Sequence, residues 1–253
     1  MSEEFTEERR ARIAEAVRTR GRVRVAELVA LTGVSEPTIR KDLTELERQR
    51  LLRRTRGGAI AVEVQGEVTL ADRQPLNAAA KARIASACRT LVRRGDSVFV
   101  DSGTTAEAIA QVLDVPDLNV LTNAVRAAEI IATRGVARHT LLGGQLRLLG
   151  GSLVGPVAID TLKRFTVNVA FIGVSGIDAD GISAADVSEG QLKQAVIEIA
   201  KRVVVPADAS KIGQTDFYRI AGLGSVDTIV TDEPNDLLAA WCHGSGTELV
   251  VAG

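Results

Sequence analysis

Apolar residues recur near the N-terminus at the spacing of short helices. From Leu76 onward they gather instead in brief runs separated by longer amphipathic stretches. The N-terminal pattern predicts three helices. The first runs from about Glu7 to Arg20, with Ile13 and Val17 one turn apart and Gly21 as its stop. The second occupies "VAELVALTG": Leu28, Val29 and Leu31 turn inward and Gly33 ends it. The third opens at Ser35, a good N-cap. Pro37 falls in its first turn, where no backbone donor is missed, and Ile39, Leu43 and Leu46 share one face. The short "TGVS" link predicts that the second and third helices cross steeply, as a helix-turn-helix does. "LLRRTRGGAI" predicts a small hairpin, or wing.

Residues 61–75 carry no helical period and read as a linker. Beyond them, helices are expected at about 77–93, 104–113, 123–134, 156–164, 188–201 and 234–242. Strands are expected in "SVFVD", "NVLTN", "HTLLGG", "NVAFIGVSG", "RVVVPAD", "DTIVTD" and "ELVVAG". Short β-rich runs alternating with helices predict an α/β fold with a mainly parallel sheet and helices on both faces. The expected organisation is a winged helix-turn-helix over 1–60, a linker over 61–75 and an α/β domain over 76–253.

Composition narrows the class. Of 253 residues, 45% are apolar and 25% charged, as in globular proteins in water, and 3% are aromatic, so the core must rest on aliphatic side chains. No apolar run approaches the ~20 residues that would span a bilayer. The polar start "MSEEFTEERR" has no apolar signal core, so the cytoplasm is the expected compartment. Cys88 and Cys242 lack C-x-x-C spacing and read as buried free thiols. Charge is divided unevenly. Residues 1–58 hold 14 Lys/Arg against 10 Asp/Glu, a net of +4, and the remainder holds 17 against 22, a net of −5. A basic head on an acidic body points the head toward nucleic acid.

A helix that enters the major groove needs an apolar face for docking and short polar or basic side chains on the other face near its start. Ser35, Thr38, Arg40 and Lys41 fit that second face. Arg53, Arg54 and Arg56 follow in the wing, within reach of phosphates or the minor groove, and Arg22 and Arg24 are further phosphate candidates. Glu36 and Asp42 lie among these cations. Capping, ion pairing and tuning of base preference are all open to them.

In the body, polar and glycine clusters follow successive strands, where open α/β sheets bind ligands. They are Asp101, Ser102, Gly103, Thr104 and Thr105; Thr122 and Asn123; Gly143, Gly144 and Arg147; Gly173, Ser175 and Gly176; and Asp208, Ser210 and Lys211. Five such clusters can converge on one crevice for an anionic, hydroxyl-rich small molecule, with a helix start near Thr104 cradling the anion. His139 and His243 are solitary and make no metal site, and no phosphate loop of the G-x-x-x-x-G-K-[ST] or G-x-G-x-x-G kind is present. No cofactor is expected.

The stretch "GRVRVAELVALTGVSEPTIRKDLTELERQRLLRRTRGGAI" resembles the DNA-binding segment of DeoR-family bacterial transcription regulators. The order D-S-G-T-T, T-N, L-G-G-x-x-R, F-I-G-x-x-G-I and D-x-S-K resembles that family's sugar-phosphate sensor, whose fold is similar to ribose-5-phosphate isomerase. Two departures stand out: Arg50 where the family usually has Gly, and Ala209 and Ile212 around "DASKIG". The resemblance implies a repressor of carbohydrate-metabolism genes that binds double-stranded operator DNA as a dimer or tetramer. Ser102 to Thr105 would hold a phosphate, with Asp101, Thr122, Asn123 and Arg147 beside it and Lys211 opposite. Lys81, Glu189 and Lys193 match further family positions. The alternative is a sugar-phosphate isomerase with an appended DNA-binding module, using Asp178, Asp180, Glu189 and Lys211 for proton abstraction.

Overall fold

The computed structural model describes residues 6–20, 22–48, 52–55, 57–61, 76–135 and 137–253. The chain divides into two compact units, Met1–Glu67 and Val68–Gly253. Residues 62–75, nearly all of the expected linker, lie outside the described residues.

The first unit contains α1 (Thr6–Arg20), β1 (Arg22–Arg24), α2 (Val25–Thr32), α3 (Glu36–Arg48), β2 (Leu52–Thr55) and β3 (Gly58–Ala61). Gly33 ends α2 in the left-handed region at φ 73°, its amide turned back onto the Val29 carbonyl at 2.8 Å. Ile13, Val17, Leu28, Ile39, Leu43, Leu46 and Leu52 are buried together in one core. The sequence pattern anticipated the three helices and the β2–β3 hairpin. It did not anticipate β1, which pairs antiparallel with β3 and widens the wing to three strands. Gly58 is required there, because a Cβ would overlap the Val23 carbonyl across the ladder.

The second unit is built on seven parallel strands: β4 (Ser97–Val100), β5 (Leu118–Thr122), β6 (Ala137–Leu141), β9 (Val169–Phe171), β12 (Val203–Pro206), β14 (Thr228–Thr231) and β15 (Glu248–Val251). Their order is β15-β14-β12-β9-β4-β5-β6. These are the seven apolar runs read from the sequence. Successive residues enter opposite layers: Phe99, Val203 and Val205 pack in one apolar cluster, and Val98, Val100 and Val204 in the other. In the central strands β4, β9, β12 and β14, burial on both faces is why the runs read as continuous rather than alternating. The covering helices are α4 (Ala78–Thr90), α5 (Thr104–Val112), α6 (Val125–Arg134), α7 (Pro156–Leu162), α8 (Val187–Ile199) and α9 (Asp236–Ser245).

Two smaller pieces were not anticipated. One is the hairpin of β7 (Gln145–Arg147) and β8 (Ser152–Val154); the other is the antiparallel sheet of β10 (Gly176–Asp178), β11 (Gly181–Ala184) and β13 (Tyr218–Ala221). Cys88 and Cys242 are free and buried, and burial pushes the Cys88 thiol up to about 12. Among the described residues no helix is long and apolar enough to cross a membrane, and no cluster of His, Cys, Asp and Glu could hold a metal ion.

Candidate nucleic-acid face and anion cavity

In the first unit the apolar side of α3 faces the core and its other side faces solvent. Ser35, Arg40 and Lys41 are exposed and Thr38 is half-buried. Ser35 Oγ and Thr38 Oγ1 share a hydrogen bond of 2.9 Å, which orders the first turn. The two acidic residues behave differently. Glu36 stays on the exposed side and takes Arg40 Nε and Nη2 at 2.9 and 2.6 Å. Asp42 turns inward, is buried, and accepts from Arg9 Nε at 2.8 Å and Arg10 Nε at 2.9 Å, fastening α1 to α3. Its charge is therefore spent inside the fold, and the outer surface of α3 keeps Arg40 and Lys41. On β2, Arg54 is exposed and donates from Nη1 to Thr44 Oγ1 at 2.6 Å, which leans the wing cation against α3. The Arg24 amide donates to Glu27 Oε2 at 2.6 Å, tightening the start of α2. Arg56 and Arg50 lie outside the described residues, as do the side chains of Arg22 and Arg53.

In the second unit the strand order sets β9 between β4 and β12. The loops leaving the C-terminal ends of these three strands therefore share one edge of the sheet and enclose a cavity. Its lining includes Ser102, Gly103, Thr104 and Thr105. Gly103 sits before α5 at φ 109°, in the region glycine favours, and the first amides of α5 have no partner within the helix. Such a helix start attracts an anion. Lys81, Lys193 and Lys211 bring positive charge to the walls, and Gly173, Glu189 and Asp208 complete them. Lys81 Nζ donates to the Leu76 carbonyl at 2.5 Å. Asp208 Oδ1 accepts from Ser210 N at 3.1 Å and Asn77 Nδ2 at 3.0 Å, so that carboxylate is braced on two sides.

Asp101 lies beneath the cavity rather than in its lining. Its buried carboxylate pairs with Lys193 Nζ and accepts from the Gly173 amide at 2.9 Å. It neutralises one wall lysine and holds the β9 loop against the β4 loop. Thr122 and Asn123 are also buried outside the lining. Thr122 Oγ1 accepts the Ala124 amide at 3.0 Å, while Asn123 Oδ1 has no partner among the described residues. Arg147 stands behind the wall, pairing with Asp186 at 3.4 Å and Glu189 at 3.2 Å. Gly143 and Gly144 are exposed beyond the lining, and Gly144 allows close approach to the Val154 carbonyl. Gly176 clears the Gln214 backbone in β10. Leu76, Asn77 and Gly150 line the cavity and were not foreseen. Asn77 adopts a left-handed backbone (φ 54°) that residue identity alone does not announce.

Of the side chains in the enzymatic alternative, Glu189 and Lys211 line the cavity, whereas Asp178 and Asp180 do not. Asp178 is bound by both Nη atoms of Arg219 and by Thr215, and the Arg219 hydrogen bonds hold it down to about 2. Asp178 and the exposed Asp180 are both absent from the cavity lining.

Residues 9–65 match the DeoR-like helix-turn-helix domain model and residues 76–233 the DeoR C-terminal sensor domain model. The chain is 34% identical over 249 residues to the HTH-type transcriptional repressor GlcR of Bacillus subtilis, covering 98% of this chain and 96% of that protein. It is 34% identical over 224 residues to the glycerol-3-phosphate regulon repressor of Escherichia coli, covering 88% and 89%. A ribose 5-phosphate isomerase structure from Methanocaldococcus jannaschii aligns over 54% of this chain and 55% of that one, at 16% identity and a TM-score of 0.40.

Proposed function

The chain belongs to the DeoR family of transcription regulators, and from that premise we propose that it represses carbohydrate-metabolism genes and releases or tightens its operator as a phosphorylated sugar, or a related metabolite, fills the cavity of the second unit. The observation that carries the effector class is the cavity itself. A helix start with two threonines and a serine lies at one end, lysines stand on the walls, and braced carboxylates lie beyond. A phosphate suits the first, and hydroxyl groups suit the rest.

On the DNA side, Ser35, Thr38, Arg40 and Lys41 reach base edges and phosphates from α3, and Arg22, Arg53, Arg54 and Arg56 serve the backbone or the minor groove from the wing. Two copies of the chain read two half-sites, in the cytoplasm where the DNA lies. Coupling between the sites requires that the effector bind two arrangements of the protein with different affinity. The relatives are named as regulators, and Asp178, held near pH 2 by Arg219, is a poor base outside the cavity; both favour a sensor over an isomerase.

The decisive experiment is a titration of the intact protein against DNA from its own gene neighbourhood, at several salt concentrations, with and without a panel of three- to six-carbon sugar and polyol phosphates. A sequence-preferring complex that weakens steeply with salt, and that one panel member shifts, is expected. A complex indifferent to sequence would remove the operator reading. An operator complex that no member shifts would remove the effector reading.

A further inference from the structure

Glu189 lines the cavity with its side chain 14% exposed, and its two carboxylate oxygens are in different situations. Oε1 accepts from Ser152 Oγ at 2.9 Å and from Arg147 Nη1 at 3.2 Å. Oε2 has no partner among the described residues. Both donors come from the β7–β8 hairpin, one on each strand, and Ser152 is fully buried. Arg147 is itself steadied by Asp186, whose other oxygen caps α8 by accepting the Glu189 amide at 3.0 Å. Gly150, between the strands, also lines the cavity. A Cβ there would overlap Glu189 Oε1 and sit 3.1 Å from Ser152 Oγ, so the turn makes room for the carboxylate.

We propose that the β7–β8 hairpin is a positioning element that saturates one oxygen of Glu189 and aims the other at a hydroxyl of the effector, which makes Glu189 the residue that selects polyol phosphates over a bare anion. Arg147 acts through Glu189 rather than on the effector. A carboxylate oxygen already holding two donors is a poor further acceptor, whereas its neighbour keeps its lone pairs open to a donor. The partner it fits is an O–H. An ammonium group is the rival donor, but the nearby guanidinium of Arg147 and the lysines of the cavity disfavour a second cation. The effector therefore carries phosphate at the Ser102–Thr105 end and an unsubstituted hydroxyl toward Glu189.

This rests on the effector reading above, and the test separates the two. Binding of inorganic phosphate, glycerol 3-phosphate, glucose 6-phosphate and fructose 6-phosphate to the intact protein is measured by calorimetry and thermal shift. The variants are Ser152→Ala, Arg147→Met, Arg147→Lys and Gly150→Ala. The wild-type protein should bind at least one sugar or polyol phosphate more tightly than inorganic phosphate. Gly150→Ala and Ser152→Ala should each weaken that ligand about tenfold and leave inorganic phosphate unchanged. Arg147→Met should do the same, with partial recovery in Arg147→Lys. Equal loss for both ligand types, or no loss for either, would overturn the positioning role while leaving the effector reading intact. Preference in the wild type for none of the phosphates over inorganic phosphate would overturn both. Gly150→Ala complements the other variants, because the added methyl meets only side-chain atoms, of Glu189, Ser152 and Arg147, and no backbone.

Discussion

Each unit of this protein buries a carboxylate against cations, Asp42 in the first and Asp101 in the second, and the two pairings are put to opposite uses. In the first unit Asp42 draws Arg9 and Arg10 inward and locks α1 to α3, which leaves Arg40 and Lys41 on a convex, exposed helix face. In the second unit Asp101 draws Lys193 beneath a concave cavity and joins the loops after β4 and β9. The outward cations suit a long polyanion that is met at many points and screened by salt. The inward ones suit a single small anion, removed from water and met by fixed donors. On the proposed reading both sites use the chemistry of phosphate recognition, and the curvature of the surface decides which phosphate each takes.

The largest expected break in this comparison is at Asp42. Asp42→Ala leaves Arg9 and Arg10 without their buried counter-charge and should destabilise the first unit by about 3 kcal/mol. Chemical denaturation followed by circular dichroism should then show an early transition for the first unit and an unshifted one for the second. A single unshifted transition would show that the pair is not holding α1 to α3. Next is the cavity lysine: Lys81→Met should lower affinity for a phosphorylated ligand by about 10- to 100-fold. Calorimetry reads this directly, and operator affinity without ligand should not change.

Lys41→Ala sharpens the same contrast from the other side. It should weaken operator binding by about 1 kcal/mol, reduce the slope of log affinity against log salt by about 1, and leave ligand binding alone. Equal loss in both assays would mean the two sites are not chemically separate. The smallest effect concerns the Asp178–Arg219 pair, which staples β10 to β13 away from the cavity. Asp178 titrates near 2 in the folded protein against 3.8 ordinarily. Its contribution is therefore complete above about pH 4 and is lost as pH falls toward 2. Because Arg219 is partly exposed, solvent screening limits that contribution to about 1 kcal/mol. Arg219→Met should flatten the acid limb of the stability profile by that amount, without moving ligand affinity.

Much of this architecture was legible in the residues. Ile39, Leu43 and Leu46 lie on one helix face in any amphipathic helix of this register, and their burial follows from spacing. The central strands β4, β9, β12 and β14 announced themselves, because burial on both faces demands an unbroken apolar run. Six short strands, β1, β7, β8, β10, β11 and β13, escaped notice, and β1 and β13 pair with strands far away in sequence. The place of Ser102–Thr105 in the cavity lining was readable because a glycine, a serine and two threonines at a strand-to-helix turn have a local cause. Asn77 and Gly150 were not, because their places in the cavity depend on chain segments far from them in sequence.

The sequence by itself determined the two-part plan, the helix that presents its cations outward and the Ser102–Thr105 turn at a helix start, since each depends on residues within a few turns of one another. Only the tertiary structure decided which charges remain available. It turned Asp42 and Asp101 inward and set Arg147 behind Glu189 instead of in the cavity. The physical reason is that a charge is neutralised by whatever lies a few ångströms away in space, and sequence distance carries no record of that.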